Sequence, residues 1–107
     1  MRTLHLLYHE LRAAPAAYSY VTSTTLFQQH VDLYAQLVAS ASPLAPVITF
    51  DDGHVSNLTL AAPILAARSL TAHFFITVGW TATRPGYMDF AQLRELHHAG
   101  HTIGAHG

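Results

Sequence analysis

The run Pro46-Val47-Ile48-Thr49-Phe50-Asp51-Asp52-Gly53 constrains this chain more than any other stretch. Val47 to Phe50 are β-branched or aromatic and suit a buried, pleated strand. The strand stops on two adjacent carboxylates. These repel each other and are costly to bury unless paired, hydrogen-bonded or bound to a cation. Gly53 lets the backbone turn sharply there, so both side chains could face one site. Two readings fit these residues equally. One is a metal site in which one Asp is a ligand and its neighbour a base. The other is a strand ending in a polar Asp-Gly turn.

The rest of the chain supplies a frame for that strand. Thr3 to Tyr8 reads as an earlier buried strand ending on Tyr8-His9-Glu10, and Leu11 to Thr22 as an irregular connection around Pro15, with Tyr18, Tyr20 and Val21 alternating. Ser23 or Thr24 caps a helix to about Ala39, with Leu26, Phe27, Val31, Tyr34, Leu37 and Val38 at helical spacing. Ser42 and Pro43 end it. Ser56 or Asn57 caps a second helix, where Pro63 predicts a kink or a late start. Thr71 to Val78 is a third strand. Asp89, with Gln92 at the capping-box position, opens a third helix that ends at Gly100, and His101 to Ala105 begins a fourth strand. Strands alternating with helices imply right-handed crossovers and a parallel sheet covered by helices. Sites in such sheets lie at the carboxyl ends of the strands, where Asp51, Asp52 and His106 fall and where His9 falls on the first strand. The chain stops at Gly107 where a strand should lead into a loop and helix, so residues 1–107 are expected to be the first half of a larger barrel-like α/β domain.

Composition narrows the chemistry. Half of the 107 residues are hydrophobic and only a tenth are charged, below the usual quarter or so. Five Lys and Arg without clustering give no basic face for nucleic acid or anionic lipid. With no cysteine and nine histidines, any metal must be held by imidazole and carboxylate. No stretch approaches the ~20 apolar residues of a membrane span, and the N-terminus lacks a signal-peptide pattern. Taken as it stands, the chain is expected to be soluble and cytoplasmic.

Two strand ends, one bearing Asp51 and Asp52 and the other His106, make a plausible oxygen-and-nitrogen metal site. Catalytic zinc takes about three protein ligands and keeps a position open for water, which becomes acidic enough to attack near neutral pH. A neighbouring carboxylate can take its proton. That division of labour explains adjacent aspartates better than structure alone does.

Thr49-Phe50-Asp51-Asp52-Gly53 resembles the first motif of the polysaccharide deacetylases, the NodB-type or family-four carbohydrate esterases. Gly100-His101-Thr102-Ile103-Gly104-Ala105-His106 resembles the approach to that family's second motif, a His followed four positions later by another His. Ser56-Asn57, Ala62-Pro63-Ile64-Leu65, Thr71-Ala72-His73-Phe74-Phe75, Gln92-Leu93-Arg94-Glu95-Leu96 and Tyr8-His9-Glu10 are also similar to family members at similar spacing. The resemblance implies a distorted (β/α) barrel and metal-dependent removal of acetyl groups from an N-acetylated (or O-acetylated) polysaccharide. It implies Asp51 as catalytic base, and Asp52 and His106 as ligands of a divalent metal, zinc first, with cobalt, nickel or iron as alternatives. Gly107 stands where members usually carry Ser or Thr. The second ligand His and the general acid would lie beyond it, so the chain is expected to be inactive alone and to need the missing C-terminal half of its domain.

Other residues carry lesser expectations. His54, directly after Gly53, is assigned to groove lining or solvation ahead of metal binding. Trp80 and Tyr87 either stack on a sugar ring or cover the barrel rim. His9 either packs or supports the site from behind. His73, His97 and His98 are read as structural or solvated. The alternatives to a deacetylase are a carbohydrate- or metal-binding pseudoenzyme and a hydrolase of small amides on the same fold.

Overall fold

The computed structural model describes residues 2–13, 21–40 and 44–106. The expectations for Pro15, Tyr18, Tyr20, Ser42, Pro43 and Gly107 lie outside the described residues. Six strands and three α-helices follow one another as β1 (Arg2–Tyr8), β2 (Glu10–Arg12), β3 (Val21–Ser23), α1 (Thr24–Ala39), β4 (Leu44–Asp52), α2 (Ala62–Ala66), β5 (His73–Ile76), α3 (Phe90–His98) and β6 (Thr102–Ala105). The main sheet has the order β1-β4-β5-β6, and every pair is parallel. Successive strands joined by helices and lying side by side in sequence order are the winding of a (β/α) barrel wall, and the chain is a partial barrel.

Register explains how the sheet is held. Tyr8 pairs with Phe50 and Phe50 with Phe74, so one row across three strands is aromatic. The Tyr8 and Phe50 rings stack at 5.3 Å, Phe50 and Phe74 stack at 5.1 Å, and Phe27 of α1 meets Tyr8 edge-on at 4.9 Å. Phe27, Phe50 and Phe74 are fully buried. Burying each such ring contributes about 1.5–3 kcal/mol. Val31 and Tyr34 of α1, Ile64 and Leu65 of α2 and Leu96 of α3 complete the same core. All three helices therefore cover one sheet face, which anchors β4 one residue before its carboxylates.

Two of the three expected caps form, whereas Ser56 makes no side-chain bond to the helix that follows it, its hydroxyl being taken up by Leu11 N–H and His54. The Ser23 side chain accepts from Leu26 N–H, and Asp89 and Gln92 form a reciprocal capping box. The second helix starts late: Asn57–Ala61 is π-helical, and α2 begins at Ala62 with Pro63 in its first turn, where the missing N–H costs least. Gly100 takes φ 98° beyond α3, as a left-handed helix end requires.

The structure differs from the sequence reading at β2 and β3. Glu10–Arg12 and Val21–Ser23 pair in parallel as a separate two-stranded sheet rather than lying in an irregular connection. Each is three residues long, too short for a period-two pattern to register. Among the described residues, no helix is long and apolar enough to cross a membrane.

Candidate active site

At its end β4 leaves regular geometry. Asp52 has φ 81° and Gly53 φ 90°. A left-handed backbone is uncommon for a non-glycine residue, though Asp is among the types that tolerate it, and it costs of order 1–3 kcal/mol. Such strain persists only where surrounding contacts impose it. Here they do: Thr77 N–H donates to Asp52 O, and Met88 N–H donates to Gly53 O at 3.0 Å. A Cβ on Gly53 would sit 3.2 Å from the Ile76 side chain, so the turn packs directly on β5.

The positive φ takes Asp52 out of the strand's alternation and toward His106. Asp52 pairs in register with Ile76, and Ile76 with Ala105. His106 follows Ala105, and its N–H donates to Ile76 O at 2.7 Å, extending the ladder by one residue. Asp52 and His106 thus belong to strands on either side of β5 and reach over its end. His106 Nε2 lies 3.3 Å from Asp52 Oδ1. Two ligands each ~2.1 Å from a tetrahedral ion are ~3.4 Å apart, so this separation fits a shared metal as well as an ion pair. Both atoms are of types that hold zinc. Among the described residues no third metal-binding side chain joins them.

Asp51 is half-buried and pairs with Phe75. Strand alternation sets it with Thr49 on the face opposite Phe50, away from the helices. It is adjacent to Asp52 in sequence without lining the same cavity.

That cavity, about 170 Å³, is lined by His9, Glu10, Asp52, His54 and Tyr87. Small-molecule sites usually enclose ~300–1,000 Å³, so it accepts an edge of a ligand rather than a whole one. His9 contributes wall, and its carbonyl accepts from Asn57 Nδ2 at 3.0 Å. His54 and Tyr87 form an antiparallel bridge, with their rings edge-to-face at 5.5 Å. Trp80 lies behind Tyr87 at 4.9 Å, and Arg84 covers the Trp80 ring at 4.1 Å. Tyr87 therefore faces the cavity, whereas Trp80 buttresses it. His101 is structural: it is 5 % exposed, its Nδ1 accepts from Ala72 N–H, and burial lowers its pKa below the ordinary 6.5. His73, His97 and His98 are exposed.

Sequence reasoning missed the place of Glu10, Ser56 and Arg84 around the cavity. Glu10 and Ser56 sit in stretches singled out by resemblance, but their meeting on His54 depends on β2, which carries no sequence signal.

The family model for polysaccharide deacetylase matches residues 41–107. The chain belongs to the polysaccharide deacetylase family. Solved structures of deacetylases share this chain's fold. The Streptococcus pyogenes deacetylase PplD, in complex with acetate, superposes with a TM-score of 0.78 at 20 % identity, over 99 % of this chain and 56 % of its own. The de-N-acetylase from Aggregatibacter actinomycetemcomitans gives 0.79 at 21 % identity, over 99 % and 55 %. IcaB from Ammonifex degensii gives 0.73 at 23 % identity, over 99 % and 55 %. The chain spans about half the length of these structures. Among curated proteins none matches it significantly.

Proposed function

We propose that this chain carries the metal-holding and base-bearing part of an active site that removes acetyl groups from an acetylated polysaccharide. The observation that carries the reading is the 3.3 Å approach of His106 Nε2 to Asp52 Oδ1 over the end of β5. Family membership and the solved deacetylases of the same fold supply the reaction class.

Asp52 and His106 would hold a divalent ion, zinc first by donor type, with cobalt, nickel or iron as alternatives. When bound, such an ion supplies Lewis-acid polarisation of an acyl oxygen and of water. Asp51, on the neighbouring position and the open face, is the base that takes a proton from attacking water. Tyr87, backed by Trp80 and Arg84, offers an aromatic face to a sugar ring.

The test is acetate release from an N-acetylglucosamine oligomer by the natural full-length polypeptide, before and after chelation. Release that chelation abolishes and zinc restores is the expected result. Sugar binding without release would favour a non-catalytic carbohydrate-binding role.

A further inference from the structure

The cavity beside Asp52 contains a hydrogen-bond relay that the Asp52–His106 pair does not use. Ser56 is 3 % exposed. Its hydroxyl lies 2.8 Å from His54 Nδ1 and accepts from Leu11 N–H at 2.9 Å. Ser56 N–H donates to the same Nδ1 at 3.1 Å. Because the Ser56 N–H donates to Nδ1, that nitrogen presents a lone pair; the Ser56 hydroxyl then donates to it as well, and the proton of the neutral imidazole sits on Nε2. Nε2 lies 3.3 Å from Glu10 Oε1. The His54 and Glu10 side chains, 21 % and 36 % exposed, both line the cavity with Tyr87. Glu10 is itself held in place: Leu11 N–H is tied to Ser56, and the His9 carbonyl to Asn57.

We propose that His54 and Glu10 form a hydroxyl clamp for the substrate beside Asp52, with Ser56 as the positioning residue that fixes the imidazole. A sugar hydroxyl is both donor and acceptor. It can accept from Nε2–H and donate to the Glu10 carboxylate while Tyr87 covers the apolar face of the ring. A ring nitrogen that carries a proton does not ligate a metal, so the pair selects for a hydroxyl rather than a second cation. The clamp rests on the carbohydrate reading above for the class of ligand only.

The experiment uses the natural full-length polypeptide, metal-free and labelled with ¹⁵N in histidine, titrated with the N-acetylglucosamine trimer. His54 is expected as the Nε2–H tautomer, with its Nε2 signal moving on trimer addition. Glu10→Gln and His54→Phe should each weaken trimer binding by about tenfold, the loss expected for one hydrogen bond to a charged or fixed partner. Ser56→Ala should mix the His54 tautomers, and Ser56→Thr, which keeps the hydroxyl, should restore the single one. Should Ser56→Ala not fold, Glu10→Gln still decides. An Nδ1–H tautomer, no response of His54 to the trimer, or unchanged affinity in both Glu10→Gln and His54→Phe overturns the clamp. Trimer binding through His54 without acetate release by the metal-loaded protein upholds the clamp and overturns the deacetylase reading alone.

Discussion

His106 Nε2 and Asp52 Oδ1 meet at 3.3 Å across the end of a strand to which neither belongs. Adjacent strands of a sheet are ~4.8 Å apart, so β4 and β6 backbones are separated by about twice that. The gap closes because Asp52 has left the strand's alternation and His106 continues the β5 ladder by one bond. With Asp52 and His106 proposed as ligands and Asp51 as base, the two aspartates should fail differently.

Asp51→Asn in the natural full-length polypeptide should leave metal affinity largely intact and lower turnover by ~10²–10⁴-fold, the usual worth of a general base. Asp52→Asn should lose metal first and activity with it. Metal titration beside acetate release distinguishes them, and equal metal loss in both variants contradicts the split.

Gly53→Ala should destabilise the fold by about 1–3 kcal/mol, measured by denaturant unfolding. The new Cβ must accept φ 90° and a 3.2 Å approach to Ile76. Because the same turn carries Asp52, metal affinity should fall with it. A variant of unchanged stability would show that β5 yields there without cost.

His101 predicts an acid limb of the stability curve. Its folded pKa is lowered by burial, so between that value and the ordinary 6.5 the unfolded chain binds more protons than the folded one. The stability it contributes is full above about 6.5 and is lost as pH falls through the unfolded value toward the folded one. His101→Asn, which keeps an acceptor for Ala72 N–H without a titrating ring, should flatten that limb. An unchanged slope would remove His101 from the explanation.

A polypeptide of residues 1–107 alone should self-associate. β6 lies at an edge of the sheet, and Phe90, Leu93 and Ile103 line an open apolar groove beside it. Unpaired strand edges and contiguous apolar surface are association hazards. Size exclusion and calorimetry check this; a monomer with a sharp cooperative melt and metal-dependent acetate release contradicts it.

The frame was legible because its signals are local and redundant. Val47 to Phe50 reads as a buried strand from composition, Asp89 with Gln92 as a helix start, and Gly100 as a helix end, and each sits where its chemistry requires. Asp52 and His106 could be placed at strand ends for the same reason, since a parallel alternation fixes which end faces a site. What escaped was non-local. The β2–β3 pairing joins two three-residue segments, and the Glu10–His54–Ser56 relay depends on that pairing and on the turn after Gly53. The left-handed backbone at Asp52, rather than at Gly53 alone, is likewise set by packing on β5 and by backbone bonds from Thr77 and Met88.

Zinc binding by the natural full-length polypeptide and its Asp52→Ala and His106→Ala variants decides whether the Asp52–His106 pair holds a metal. Titration with a competing chelator gives the stoichiometry, and X-ray absorption gives the ligand shell. One zinc per chain is expected in the parent, with nitrogen and oxygen ligands at ~2.0–2.2 Å, and loss of tight binding in each variant. Stoichiometric, tight zinc retained by both variants would contradict that role.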